Sequence, residues 1–576
     1  MRLVIGEATK KALKFARNPK LLFHRLRSIV RDRSDFLAYR TGLVPFRRML
    51  RTMSEPVKGG LLIVSGSGMN TVWAEIWTLL SLSGRMIGLK PYVLTTRNQE
   101  SLNRYYRLLD IELIFQDDLL TKRTASLPVE LTAKLAASKT FADFRDIVID
   151  RIPLGDIALS TYCRYFGTGL VDVSRAEVRK EVSQWVERVW QAANMATYLF
   201  SKYDIKATYH SEVFMEEYGG IYYAALNANL KILRFAGTVR DDAVIIQHRS
   251  WKHDRLHHAA LADTTWDRLK NQGSIDIIQR ELEQNFAHRY GDKWHRSKRN
   301  QPNTHIMEIS MAREQLGVPA NRKIAVIYSH ILYDTIFFFG SDLFKDYATW
   351  LIETVREAVL NTSVEWYIKV HPSNIWRGEM GTVFSHRYEE ERLIEEHIGQ
   401  LPSHVHVVPA DTPISPLTWM KMADFGITVR GTSGLEMAAL GGTVITAGTG
   451  RYEGRGFTYD PPNQDAYREL LGRLPDIPCT TPAQTELAQR YAHGIFILKP
   501  YTLTALAPRL RAGRKKLVAS DDLIYLPQPL RAKELPNDLR ELADFLLDDS
   551  RVDLLSDASY FVEESTSRSA TYAVSS

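Results

Sequence analysis

Residues 364–374, VEWYIKVHPSN, decide how this chain folds. Val364, Trp366, Tyr367, Ile368 and Val370 form a strand-like, largely apolar run that stops at His371-Pro372. Proline has no N–H to offer a sheet ladder, so the strand ends there and leaves an imidazole at its tip. About sixty residues later, FGITVRGTSGLEMAALGGTVITAGTG (425–450) repeats the pattern with Thr432-Ser433-Gly434 at the tip. Short apolar runs bounded by turn residues are the mark of strands buried on both faces of a parallel sheet. Open parallel sheets bind ligands outside the carboxyl ends of their strands. The two tips are therefore expected to face one ligand.

Around these tips the sequence alternates strand and helix. Strands are expected at 323–328, 364–370, 404–408, 424–428 and 443–446, with helices at 346–360, 388–398, 415–422 and 433–440. An earlier series starts at Gly59, where GGLLIVSGSGMNTVWAEIW reads as strand, glycine-rich turn and helix. Further strands follow at Pro91–Thr95, in LDIELIFQDDL and in IKATYHSE, and the βαβ rhythm again implies a parallel sheet. Between them, 125–203 is helix-rich, with Val178, Val182, Trp185, Val186, Val189, Trp190 and Ala193 at helical spacing. The expected organisation is a leader at 1–55, a first Rossmann-like domain at 56–310 with a helical insert at 125–203, a second at 311–515, and an extension with a flexible tail at 516–576.

A length of 576 residues suits two main domains rather than one core. The two cysteines, Cys163 and Cys479, have no metal-ligand spacing and build no disulfide framework, which fits a reducing compartment. The first residues lack an apolar stretch with a small-residue cleavage site, so no secretory signal is expected. The most apolar windows, 61–89 and 324–339, carry Glu75 and Asp334 and do not read as membrane spans.

Charge is unevenly placed. Residues 1–52 hold fourteen Lys/Arg against Glu7, Asp32 and Asp35, a net of +11, so the other 524 residues carry −4 of the chain's +7. Leu22, Leu26, Ile29 and Val30 share a helical face in this leader. A basic amphipathic helix favours anionic membrane surfaces, which suggests a cytoplasmic protein held peripherally on the inner face of the membrane. A solvated helix packed on the body is the plainer alternative. No aromatic-interleaved basic patch accompanies the charge, so nucleic acid is not expected as a partner.

The chemistry suited to the two tips is phosphate binding. SGLE (433–436) fits a capping box, Ser433 as N-cap and Glu436 at N3, opening a helix whose free N–H groups and positive dipole end suit an anion. Pro372 fixes the backbone so that His371 points across the strand tips, and Lys369 and Arg430 add positive charge. Ser373, Gly431, Thr432 and Gly434 complete the expected phosphate-binding set. In the first series, Gly66, Ser67 and Gly68 of VSGSGMN form a second glycine-rich tip, without the G-x-G-x-x-G of a dinucleotide site. A general base belongs at a strand end in the cleft, where Glu212 and Asp334 stand, with His210 as a third choice.

The run LYDTIFFFGSDLFKDYATWLIETVREAVLNTSVEWYIKVHPSN resembles a segment of bacterial capsule and surface-polysaccharide biosynthesis proteins, and RGTSGLEMAALGGTVITAGTGRYEGRGFTYDP is similar to their second signature. The resemblance spans about residues 324–470. It implies a GT-B fold: two Rossmann-like parallel-sheet domains facing a cleft, with a nucleotide-sugar donor in the second. Sialyltransferases and Kdo transferases, which use CMP-sugars, share the HP and Ser/Thr motifs. By that resemblance His371 would stabilise the leaving phosphate, with Thr432 and Ser433 on the same oxygens, and neither metal nor cofactor is required. Glu436 would bind ribose or remain a capping partner, and Gly66–Gly68 would line the acceptor cleft. The implied activity is transfer of a sugar to a glycan or lipid-linked acceptor, alongside other polysaccharide-assembly proteins. A CDP-alditol phosphotransferase, a sugar-nucleotide epimerase and a non-catalytic assembly scaffold are the rival readings.

Overall fold

A computed structural model describes residues 32–52, 55–65, 70–122, 126–291, 293–301, 303–374, 388–530 and 534–556. Two sheets organise it. The first holds β1 (Gly59–Val64), β2 (Leu89–Thr95), β3 (Glu112–Phe115), β4 (Ile205–His210), β5 (Lys231–Gly237), β6 (Ala243–Arg249) and β12 (Tyr501–Thr502), in the order β12-β6-β5-β4-β1-β2-β3. Its β5-β4-β1-β2-β3 part is parallel, and β6 runs antiparallel beside β5. Every residue of β1 is buried, as a strand covered by helices on both faces requires.

The second sheet is wholly parallel: β7 (Ile324–Tyr328), β8 (Glu365–Lys369), β9 (Val405–Val408), β10 (Phe425–Thr428) and β11 (Thr443–Thr446), in the order β11-β10-β7-β8-β9. The chain builds outward from β7 through β8 to β9, then returns to lay β10 on the other side of β7. The strand order therefore reverses between β7 and β10, and a crevice opens at their carboxyl ends. Two Rossmann-like domains facing one another give a GT-B-like α/β fold. One hydrophobic cluster runs through both, in which Phe338 and Phe339 of the second domain meet Phe214, Tyr222 and Tyr223 of the first, and Phe337 meets Phe141.

The described parts of both flanking segments pack on the first domain. Residues 1–31 and 557–576, which include most of the expected amphipathic leader and the Ser-rich end, lie outside the described residues. Residues 32–42 and Val44–Leu50 are helical and pack on the first domain, burying Tyr39, Leu43 and Phe46, while Asp35 pairs with Arg509 at 3.0 Å. After the helix Pro482–His493 the chain crosses back: β12 joins the first sheet, and β13 (Leu506–Leu510) pairs with β14 (Leu523–Pro527). The helix Asn537–Leu547 then packs on the helix Thr71–Met86. Local polarity concealed this because the inward stripe, Leu539, Leu542, Phe545 and Leu546, is diluted by acidic residues on the other face. Among the described residues no helix is long and apolar enough to cross a membrane.

The crossing is pinned by a buried ion pair. Lys499 and Asp553, whose side chains are both 0% exposed, lie 2.8 Å apart, and Asp553 also accepts from Gln247 Nε2 (2.8 Å) and the Ala262 N–H (2.9 Å). Removing one partner strands the other charge in the core, so Lys499→Met should cost about 3–5 kcal/mol in urea unfolding, and Lys499→Met/Asp553→Leu should recover part of it. A single variant as stable as the parent would show that the pair does not hold the crossing.

Candidate functional site

The carboxyl ends of β7, β8 and β10 converge on a cavity of about 360 Å³ between the domains. Its wall carries Lys369, His371, Thr432, Ser433 and Glu436, so the two tips marked by the sequence do face one space. Lys369 ends β8 and is 5% exposed. Its ammonium makes no hydrogen bond or ion pair with a described residue, and burial alone lowers its pKa to about 8. A buried cation without a counter-charge is costly unless a ligand supplies one.

His371 is held by the turn that Pro372 starts. The Ser373 N–H donates to its Nδ1 at 3.1 Å and Ser373 Oγ lies 2.8 Å away. A backbone N–H can only donate, so the neutral ring carries its proton on Nε2. Ser373 is thus a positioning residue; it is buried and absent from the cavity wall. Behind the tips lies Glu390, buried on the helix Glu389–His397, which accepts from Ser329 Oγ (2.9 Å) and the His371 backbone N–H. It ties the end of β7 to the end of β8.

At the end of β10 the expected capping box is not formed. The helix runs Thr432–Ala439, with Gly431 as an N-cap that offers no side chain, so Ser433 falls within the first turn. Glu436 bonds instead to the Tyr290 hydroxyl and lies 2.9 Å from Arg289, because its side chain is buried against the helix Ile275–Tyr290. The Thr432 and Ser433 hydroxyls bond to no described residue. The first N–H groups of a helix have no intrahelical partner either, which leaves an anion-suited edge. Gly434 is a packing requirement: a Cβ there would strike the Tyr452 hydroxyl, which donates to Gly431 O at 2.7 Å.

Arg430 stands elsewhere than its expected place on the wall. Itself buried, it pairs with half-buried Asp342 and donates to Ser341 O at 3.3 Å, leaving it outside the cavity lining. Arg451 takes the position on the wall instead. Its Nη1 donates to Arg430 O (2.8 Å), its Nε has no partner among the described residues, and burial lowers its pKa to about 10. His330, just past β7, shapes the loop after β10. Its Nε2 lies 3.2 Å from the Val429 N–H and 3.1 Å from Thr428 Oγ1, which also accepts the Gly431 N–H at 3.0 Å. Burial, then Arg430 and His371, push its pKa well below the usual histidine value.

A smaller pocket of about 250 Å³ adjoins the cavity and shares Gly237 and His258 with it. It brings Glu212, past β4, together with Asp334, past β7. Arg164 bridges them, 3.6 Å from Glu212 and 3.4 Å from Asp334. Burial raises the Glu212 carboxyl above its ordinary value against the pull of Arg164 and Arg234. His210 is fully buried within 3.0 Å of Thr208 Oγ1, and burial lowers its pKa to about 3. Gly66, Ser67 and Gly68 lie outside the described residues.

Fold and cavity together define a GT-B-like α/β protein with a cationic cleft at the switch point of its second sheet. No family model and no curated protein matches the chain. Among solved structures it is similar to the KpsC beta Kdo 2,4 transferase of Thermosulfurimonas dismutans at 15% identity, covering 50% of this chain and 79% of that one, with a TM-score of 0.30. A glycosyltransferase from Rickettsia africae (11%, 76% and 93%, 0.25) and the UDP-GlcNAc 2-epimerase of Neisseria meningitidis (10%, 75% and 95%, 0.25) are also similar. These likenesses concern architecture and carry no argument about substrate.

Glu390 offers a test of how the tips are tied. Burial raises its pKa from 4.5 to about 7. For an acid with a raised folded pKa, its contribution is full below about pH 4.5 and is lost as pH rises to about 7. Glu390→Gln should therefore gain stability relative to the parent across that window and keep the gain at pH 8. A urea-midpoint difference that stays flat from pH 4.5 to 8 would contradict a buried, titrating carboxyl.

Proposed function

We propose that the protein is a glycosyltransferase of bacterial capsule or surface-polysaccharide synthesis, taking a sugar from a nucleotide-activated donor to a glycan or lipid-linked acceptor. The observation that carries this reading is the buried, uncompensated Lys369 on a wall shared with His371, Arg451 and the open N-terminus of the helix Thr432–Ala439. Such a wall is complementary to phosphate oxygens. The HP and Thr-Ser pair favour a CMP-sugar.

In this mechanism the donor phosphate rests on the Thr432 and Ser433 N–H and hydroxyl groups. His371 donates its Nε2 proton in a hydrogen bond to a phosphate oxygen as the glycosidic bond to the leaving nucleotide breaks. Preorganised donors of this kind lower the barrier because the leaving phosphate gains negative charge in the transition state. Lys369 and Arg451 supply positive charge from within the protein. Glu436, fixed by Tyr290 and Arg289, lines the same cavity, and in this reading it accepts from a ribose hydroxyl. The adjoining pocket receives the acceptor, with Glu212 or Asp334 taking its hydroxyl proton and Arg164 orienting both carboxylates. The basic leader holds the protein on the inner face of the cytoplasmic membrane.

Calorimetric titration with CMP, CDP, UDP and GDP tests the reading. At least one nucleotide should bind, and Lys369→Met should weaken it about ten- to hundredfold while leaving the bare nucleoside unchanged, as loss of a charge-assisted bond implies. Affinity of the parent should fall as pH rises through about 8, where Lys369 loses its proton, and the variant should not follow. Once the donor is known, His371→Ala should lower turnover ~10²-fold. A folded His371→Ala with near-parental turnover, or nucleotide affinity indifferent to Lys369, would end the proposal.

A further inference from the structure

The helices at 32–42 and Val44–Leu50 bury one face, so their other face is fixed by packing. Along it Arg33, Leu37, Arg40, Val44, Arg48 and Arg51 follow at spacings of three and four, all exposed. Leu37 is 54% and Val44 40% exposed, large apolar groups set among arginines. Beneath this face a groove of about 360 Å³ runs between the helix Val44–Leu50 and the start of β2.

The groove is short of negative charge. Arg47 and Arg51 line it, and neither pairs with a described residue. Arg85 donates through Nη2 to Leu109 O (3.0 Å) and Asp110 O (2.9 Å), while its buried Nε has no partner among the described residues. The remaining charges are largely matched: Lys90 by Glu112 at 2.7 Å, and Glu55 by Lys58 at 3.8 Å. Asp110 alone then stands against three guanidinium groups on the wall. Val57, 70% exposed, borders the same groove.

We infer that this groove seats the phosphate of an anionic phospholipid headgroup and docks the first domain on a membrane surface. Guanidinium forks match phosphate oxygens, and the apolar residues on the rim enter the headgroup boundary. The groove lies at the amino end of β2, whereas the candidate site opens at the carboxyl ends of the strands, so docking leaves the cleft open. The inference is independent of the proposed reaction, and it assigns membrane contact to the packed body as well as to the basic residues before it.

The test uses the full chain in co-sedimentation with vesicles of phosphatidylcholine alone or with about 30 mol % phosphatidylglycerol. The parent should bind the anionic vesicles, and Arg47→Glu/Arg51→Glu should reduce partitioning at least about tenfold, since each basic group near the headgroups adds to binding. Arg47→Gln/Arg51→Gln should fall between them, and Arg473→Glu on the second domain should bind like the parent. Unchanged nucleotide affinity and thermal midpoint in the double variants confirm that they fold. Parental partitioning by Arg47→Glu/Arg51→Glu would overturn the inference and leave attachment to the leader alone. Inorganic phosphate that stabilises the parent, with no difference between the two vesicle types, would mark a free-phosphate site and overturn it equally.

Discussion

The ammonium group of Lys369, buried at the end of β8 without a counter-charge from any described residue, is the constraint around which the site is arranged. A charge in that position persists because the structure around it is over-determined. β8 lies between β7 and β9 in a fully parallel sheet, and the register Tyr328↔Lys369 fixes how far the strand reaches. Pro372 ends the strand two residues past His371's neighbour Val370, and Glu390 clamps the tips of β7 and β8 from behind. The positive wall is thus a product of sheet register and strand termination. Its function follows from what such a wall can accept.

The second constraint is the way the domains are joined. The cavity and its side pocket exist only while the two sheets keep their mutual position. The Phe337–Phe339 run in the shared core, the Arg164 bridge between Glu212 and Asp334, and the Lys499–Asp553 pair at the return crossing all serve that position. Arg164 connects both roles, since the side chain that bridges the domains also sets the two candidate bases beside each other.

The second sheet was nearly legible from local pattern alone. The strand expected at 364–370 is β8 at Glu365–Lys369, and the helix expected at 433–440 runs Thr432–Ala439. That one-residue shift matters chemically, because it makes Ser433 a first-turn residue, not a helix cap, and its hydroxyl bonds to no described residue. The place of Arg430 off the cavity wall is hidden for a different reason: its partner Asp342 lies 88 positions away and becomes a neighbour only through the loop after β7. The roles of Arg451, His330 and Glu390 are hidden from local pattern likewise. Each acts through long-range contacts, although Arg451 sits in the glycine-rich run AGTGRYEGRGFT and His330 directly follows a strand. The return of the chain to the first domain was concealed because acidic residues mask its apolar stripe.

The most direct measurement is a crystal structure of the full chain soaked with the nucleotide that binds most tightly. The account predicts a phosphate group within hydrogen-bond distance of Lys369 Nζ, His371 Nε2 and the first N–H groups of the helix Thr432–Ala439. Phosphate density elsewhere in the protein, with that wall empty in the nucleotide-bound crystal, would contradict it.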